Sequence, residues 1–393
     1  MKQLVLPLLL VFAAACRTSG SGGPDYGREL PAGAPPLIKL APGQPHPDLA
    51  AAWLDRADLK PALERSISWT SKRYSTQFFP AAGISHDLAL ASLRRFHDLL
   101  ESCRTQDEFR QAIDAEFDFY KSAGWDGRGG GVLFTGYCTP VLDGSTKPSA
   151  QYRYPLYALP PDLVKAEDGT ILGQQTARGI EPYPTRREIE RSGMLEHQGL
   201  ELIWLRDPLD AFIAHVNGSA FVRTPDGTEL RFGYAGKNGQ PYTSMGGELV
   251  KDGRISKEAL SLGTLRAWAA QNPGLVHEYM ARNDSYVFFA PIEGNPRGSL
   301  NLEVQAYRTL ATDKTLFPRG ALTVVETVLP MSGGGYMPFS QVMLDQDTGG
   351  AIRTAGRADI YLGVGPSAER LAGTTRSEGQ LFYLFLKDGP LAP

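Results

Sequence analysis

Three aspartates, Asp313, Asp347 and Asp359, stand among strand-like and turn-forming residues, where a carboxylate can act as a general acid or base. Strand alternation puts Asp359, Tyr361 and Gly363 on one face and Ile360, Leu362 and Val364 on the other, so the Asp359 carboxylate opposes the core. Asp347 precedes Thr348, Gly349 and Gly350, a pattern suited to a tight turn whose backbone approaches something closely. Asp313 comes just before the strand-and-turn segment Leu316 to Gly320. The plainer reading is turn chemistry for Asp313 and Asp347 and a solvated face for Asp359. Spacing alone leaves both readings open.

Other chemistries lack their residues. The six histidines, His46, His86, His97, His197, His215 and His277, form no His-x-x-x-His pair and none sits beside a Cys pair, so no metal site is expected. His215 reads as a packed residue of a strand with Phe212 and Val216. The glycine runs Gly127 to Gly131 and Gly333 to Gly335 are not followed by Lys-Ser/Thr and open no helix, which makes them loop or hairpin tips. A Gly-x-Ser-x-Gly elbow is absent, and no cofactor is expected. Forty basic against 43 acidic side chains leave a net charge of −3, which argues against a nucleic-acid partner.

The elements that position the aspartates are mostly strands. Forty-three glycines and 29 prolines in 393 residues punctuate many short segments. From His46 to about Ala123 the pattern is helical, with Leu88, Phe96, Leu99 and Leu100 and then Phe109, Ile113, Phe117 and Tyr120 as packing stripes. Thr105 and Glu108 suggest a capping box. Strands follow at 132–138, 152–159, 211–216, 220–223 and 229–234. Two short helices broken at Pro273 cover Leu262 to Met280. Strands resume at 286–291, 302–309, 321–329, 339–344, 358–364 and 381–386.

Lys2, the apolar run Leu4 to Phe12, Ala13 to Ala15 and then Cys16 read as an export signal, too short to span a membrane. Cys16 after small residues fits acylation of a mature N-terminus, with ordinary cleavage after Ala15 as the alternative. Residues 16–37 read as a flexible tether. Cys103 and Cys138 either pair or stay as two separate thiols.

The segments Asp347-Thr-Gly-Gly-Ala-Ile-Arg353 and Arg357-Ala-Asp359-Ile-Tyr-Leu-Gly-Val-Gly365 resemble the three-aspartate module that closes the membrane-bound lytic murein transglycosylase A family. Asp313, Asp347 and Asp359 match its acids. Upstream motifs follow in the family's order: Phe134-Thr-Gly-Tyr-Cys-Thr-Pro140, Tyr154-Pro-Leu-Tyr157, Pro184-Thr-Arg-Arg-Glu-Ile189, Asp210-Ala-Phe212, Asn217-Gly-Ser219, and Gly233-Tyr-Ala-Gly-Lys-Asn-Gly239 with Pro241-Tyr242. Cys138, Asn217 and Ala220 stand where the family usually has an aromatic, a Gln and a Gly.

The resemblance implies a mainly β protein: a double-psi β-barrel with an inserted second β domain and a few peripheral helices. Its divisions would be a signal peptide (1–15), a lipidated Cys16 and tether (16–37), helices and the first part of the barrel (38–143), the insert (144–285) and the rest of the barrel (286–393). It implies cleavage of the β-1,4 bond between N-acetylmuramic acid and N-acetylglucosamine with a 1,6-anhydro product, Asp359 serving as acid and then base, supported by Asp347 and Asp313. Thr135, Tyr137, Tyr234, Lys237, Asn238, Tyr242 and Tyr361 would touch the glycan. Partners would be peptidoglycan strands, the membrane through the anchor alone, and a wall-synthesis complex. The location would be the periplasmic side of a bacterial outer membrane. A polysaccharide-binding protein without activity and a two-carboxylate hydrolase are the competing expectations.

Overall fold

The computed structural model describes residues 23–387 except 167, 168, 257, 258, 261, 332 and 351. The expected signal peptide, Cys16 and the first part of the tether lie outside the described residues. The rest of the expected tether is held in place. The Tyr26 hydroxyl donates to Glu378 at 2.5 Å, and the Thr354 hydroxyl donates to the Tyr26 carbonyl at 2.7 Å. Leu30 packs on the main core.

The first elements are β1 (Leu37–Lys39), α1 (Ala50–Leu54), α2 (Arg56–Thr70), α3 (His86–Ser102), α4 (Gln106–Glu116), β2 (Phe117–Ser122) and β3 (Val132–Thr139). Thr105 caps α4 by accepting from the Glu108 N–H at 3.1 Å, while Glu108 reaches back to the Arg104 N–H rather than to Thr105. The expected box is therefore half formed. Helical spacing also overran: Phe117 and Tyr120 lie on β2, because antiparallel pairing with a late strand and with β1 overrides it.

The second group comprises β4 (Val141–Ser145), β5 (Tyr154–Tyr157), β6 (Leu163–Lys165), β7 (Ile171–Thr176), β8 (Gly179–Glu181), α5 (Arg186–Ser192), β9 (Glu201–Leu205), α6 (Pro208–Asn217), β10 (Ser219–Arg223), β11 (Glu229–Lys237), α7 (Met245–Lys251), α8 (Leu262–Gln271), α9 (Pro273–Met280) and β12 (Val287–Pro291). Its main sheet runs β12-β11-β10-β4-β9-β5, with β6-β7-β8 as a small companion. Since β4 and β12 belong to this sheet, the second lobe extends a few residues beyond 144–285 at each end.

The expected strand at 211–216 is instead helix α6. Its apolar run suits either element, and the ends decide. Asp207 accepts from the Leu209 N–H at 2.8 Å, Pro208 occupies the first turn, and Gly218 closes the helix at φ 68°. His215 is indeed packed, but on a helix, where its Nδ1 accepts from the Val287 N–H at 3.0 Å.

The chain then returns to the first lobe with β13 (Thr309–Ala311), β14 (Leu322–Pro330), β15 (Tyr336–Asp347), β16 (Arg357–Val364), α10 (Gly365–Thr374) and β17 (Arg376–Leu386). The expected strand at 302–309 is irregular up to β13. Side chains clamp it instead of a ladder: Gln305 donates to the Asp58 carbonyl at 2.6 Å, and buried Arg308 donates to the Asp58 carboxylate at 2.7 Å.

Successive pairing links β17, β14, β15, β13, β16 and β3, and β3 pairs back onto β17, so these six strands form a closed ring. The β16–β3 and β13–β15 pairs are parallel and the others antiparallel. Each strand sends at least one fully buried residue into the common core, among them Phe134, Leu310, Val325, Met343, Ile360 and Leu381. Burying such a side chain contributes about 1.5–3 kcal/mol. The outward neighbours Val324, Val342 and Phe382 pack with Leu63, Phe96 and Phe109 of the helices. Across the lobes, Arg266 on α8 joins Asp210 on α6 at 2.6 Å and Glu369 on α10 at 2.9 Å.

One charged pair is buried beside the ring. Lys314 bonds to Asp345, which also accepts from the hydroxyls of Thr312 and Tyr383, both at 2.8 Å. Burial pushes the Lys314 pKa down and that of Asp345 up. Removing one partner leaves the other charge uncompensated, so Lys314→Met is expected to cost about 3–5 kcal/mol in urea denaturation. The double variant Lys314→Met with Asp345→Leu should recover part of that loss. A single-variant cost below about 1 kcal/mol would remove the pair from the stabilising interactions.

Candidate active site

Asp359 lies in the middle of the ring, on β16, with Thr135 of β3 opposite it on one side and Ala311 of β13 on the other. Pairing on both sides forces the backbone straight through the sheet. Ala358 and Ile360 are fully buried beneath it; on the face carrying Asp359, Tyr361 is 2 % exposed, while Asp359, Thr135 and Tyr137 stay partly accessible. The solvated face expected for Asp359 is found in part: Asp359 stays partly accessible there, while buried Tyr361 closes one end of that face. The Asp359 Oδ1 is shut off from solvent with no hydrogen-bond partner.

That environment sets the proton affinity. Burial raises the Asp359 pKa to about 6, the neighbouring Thr135 hydroxyl and Arg357 guanidinium oppose the rise, and the Asp347 carboxylate adds to it. A group with this affinity holds a proton in mildly acidic solution and releases it near neutrality, which suits both halves of a proton shuttle.

Asp347 differs in that its oxygens are committed. Its Oδ1 accepts from the Ser299 and Thr348 N–H groups, each at 2.8 Å, and its Oδ2 accepts from the Tyr137 hydroxyl at 2.8 Å. A Cβ on Gly298 would meet the Asp347 carboxyl carbon at 2.9 Å, so glycine there lets the backbone come in close. Asp313 is likewise a structural acceptor. Its Oδ1 takes the Thr315 N–H at 3.0 Å and hydroxyl at 2.6 Å, and its Oδ2 takes the Thr354 N–H at 3.0 Å. Burial pushes its pKa up, but these bonds outweigh that and bring it below the usual carboxylate value. The plainer reading thus describes Asp313 and Asp347 well.

The remaining expected residues divide into two groups. Thr135, Tyr137 and Tyr361 gather around Asp359; the Tyr137 and Tyr361 rings are 5.1 Å apart, and the Tyr361 hydroxyl lies 2.9 Å from that of Thr139. Tyr361 is almost fully buried on the same face of β16 as Asp359. Tyr234 and Lys237 are exposed on β11 of the other lobe, and Tyr242 packs over the Asp347 turn, where a Cβ on Gly350 would lie 3.3 Å from its own Cβ. Asn238 is a correction. It is 2 % exposed, its amide donates to the Pro184 and Asp284 carbonyls at 2.8 Å, and its oxygen accepts from the Tyr286 and Gln240 N–H groups, so it has no group left for a sugar. Cys103 and Cys138 are separate free thiols. Among the described residues no acidic, histidine or cysteine cluster is arranged to hold a metal.

Two residues near Asp359 escaped the sequence reading. Arg357 lies two positions before it on the same face of β16, which alternation alone places there. Arg376 lies across β3, opposite Thr135, and only the fold reveals that register.

Residues 133–290 match the family model described as the MltA specific insert domain, and residues 308–385 match the 3D domain. The chain is 34% identical over 266 residues to membrane-bound lytic murein transglycosylase A of Vibrio cholerae, covering 66% of this chain and 67% of that protein. It is 30% identical over 294 residues to the Escherichia coli K12 protein of that name, covering 74% and 75%. Among solved structures, a membrane-bound lytic murein transglycosylase from Agrobacterium tumefaciens superposes with a TM-score of 0.71 at 26% identity, covering 89% of this chain and 97% of that one. Escherichia coli MltA with bound chitohexaose gives 0.66 at 26% identity, covering 92% and 97%.

A buried carboxylate with a raised pKa destabilises the fold once ionised. The Asp359 pKa, about 6 when folded against a usual 3.8, means that the folded state favours the protonated form. The contribution of Asp359 to stability therefore falls as pH rises from about 4 through about 6. Asp359→Asn, neutral throughout, is expected to melt above wild type at pH ~8 and level with it near pH ~4 in calorimetry. An Asn advantage that did not change with pH would contradict the assigned burial.

Proposed function

Because the chain belongs to the membrane-bound lytic murein transglycosylase A family, we propose that its lytic cleavage of peptidoglycan runs on the single carboxylate of Asp359. The protein is a lytic transglycosylase acting on glycan strands. The observation that carries the mechanism is the desolvated, unpartnered Oδ1 of Asp359 with its raised pKa.

The protonated carboxyl donates to the glycosidic oxygen between N-acetylmuramic acid and N-acetylglucosamine, and the C1–O bond breaks as positive charge builds at C1. The leaving chain departs with a free hydroxyl. Asp359, now a carboxylate, takes the proton of the C6 hydroxyl as that oxygen bonds to C1. The acid is restored, no water is consumed, and the muramic end closes as a 1,6-anhydro ring. Ordinary glycosidases need a second carboxylate as nucleophile or base. Asp347 is held by two backbone N–H groups and the Tyr137 hydroxyl, an arrangement that suits orienting the site. This favours the single-carboxylate reaction over a hydrolase, and the buried acid itself favours catalysis over mere binding.

The closed six-strand ring is read as the double-psi β-barrel, and the glycan as lying between it and the second lobe, where Tyr242 meets the Asp347 turn. Tyr137, Tyr234 and Lys237 offer stacking and hydrogen-bonding surfaces. Residues 1–15 are read as the signal peptide, with acylated Cys16 holding the enzyme on the periplasmic side of the outer membrane, within reach of a wall-synthesis complex.

Digestion of purified murein is expected to release anhydro-muropeptides, lighter by one water than hydrolysis products. Reducing ends would support the hydrolase instead. Asp359→Ala should lose about 10²- to 10⁴-fold in rate, and retention of more than about a tenth of activity would sink the assignment. Since the reaction begins with the protonated acid, kcat/KM on soluble glycan should fall about tenfold per unit as pH rises well beyond the Asp359 value.

A further inference from the structure

Arg357, on the strand that carries Asp359, and Arg376, on β17, make no salt bridge among the described residues. Cross-strand register places Asp359, Thr135 and Arg376 side by side on one face over β16, β3 and β17. Strand spacing puts Arg376 about 10 Å and Arg357 about 7 Å from Asp359 along the backbone. Arg357 is half-buried; its Nη2 makes one long bond of 3.4 Å to the Thr135 hydroxyl, and its Nε is buried with no partner. Arg376 is exposed and makes no hydrogen bond or ion pair among the described residues.

Asp359 acts on Arg357 through space, and the carboxylate two positions along β17 from Arg376 is engaged elsewhere. Glu378 accepts from the Tyr26 hydroxyl at 2.5 Å and leans over Gly131, where a Cβ would meet its side chain at 2.2 Å. Burial lowers the Arg357 pKa, the Asp359 carboxylate opposes this in part, and the charge of Arg376 lowers it further, so the two guanidinium groups lie close enough to repel. Two neighbouring cations, one with an orphaned buried N–H, form a receptor for an anion.

We propose that Arg357 and Arg376 receive a carboxylate carried on the lactyl arm of the muramic residue being cleaved. The inference rests on the reaction proposed above. In that reaction C1 of N-acetylmuramic acid sits at Asp359, and the lactyl ether leaves C3 of the same ring. Any acid group on that arm is therefore held within reach of the two arginines. The arm carries either its own carboxylate, when unsubstituted, or the carboxylates of an attached peptide. Both offer the same planar acceptor to an arginine fork. The pair thus biases the enzyme toward muramyl glycan over uncharged chitin-like strands.

The test uses the full protein carrying Asp359→Asn, so that ligands bind without being cut. Dissociation constants are measured for three probes: a peptide-bearing muramyl tetrasaccharide, the same glycan after amidase removal of its peptide, and chitohexaose. Arg376→Gln and Arg357→Gln are each expected to weaken carboxylate-bearing probes about tenfold and chitohexaose less than about twofold. Chitohexaose binding also reports that each variant is folded. Weakening confined to the peptide-bearing probe identifies the peptide's carboxylate as the ligand, and weakening of both muramyl probes identifies the lactyl carboxylate. Arg376→Lys should restore only part of the loss, because an ammonium lacks the fork. Equal weakening of all three probes, or none, overturns the proposal while leaving the glycan reaction standing. If the parent binds none of the three, the reading of the site as a glycan site fails with it.

Discussion

Closure of the six-strand ring is the constraint from which the chemistry follows. A strand paired on both sides and packed beneath leaves a carboxylate at its centre only partly open to water, with one oxygen shut off and a loss of solvation that no neighbour fully replaces. Burial opposes charge on Asp359 while Thr135 and Arg357 favour it, and the balance lands near neutrality rather than at either extreme. A carboxylate left in water would hold no proton to give. One buried with no counter-charge would hardly release it. The ring contributes the burial, and the residues in register with Asp359 contribute the moderation.

The three aspartates show how shared residue type conceals different roles. Asp313 and Asp347 are tied into turns by backbone N–H groups, which solvate their carboxylates and fix their positions. Asp345 is fully buried, yet it is stabilised by Lys314, Thr312 and Tyr383. Of these four aspartates, Asp359 alone has an oxygen that is shut off from solvent and unpartnered. The proposed chemistry rests on that incompletely satisfied carboxyl.

Much of this was readable from the residues, for identifiable reasons. Long amphipathic stretches such as α3 and α4, and strands such as β16 and β17, carry local periodicities that need no tertiary context. Asp359 was found because its motif is contiguous. What alternation could not decide was whether the other face of its strand met water or protein, since that depends on Tyr137, a residue more than two hundred positions away. The run at α6 was misread because its apolar residues fit either period, while the deciding signals, Asp207, Pro208 and Gly218, lie at its ends. Asn238 sits in a motif that resembles a ligand loop, yet its amide holds three segments of backbone together. Arg376 was invisible for a topological reason: only the pairing of β17 with β3 brings it to the acid.

That pairing also orders events in time. Thr135 is synthesised early, the whole second lobe follows it, and Asp359 arrives only with β16, with the ring still open until β17 pairs onto β3 and β14. A chain ending before about Leu386 lacks the strand that closes the ring, and with it part of the burial that raises the Asp359 pKa. On the proposed reading, such a shortened chain would carry the acid without the surroundings that let it hold a proton.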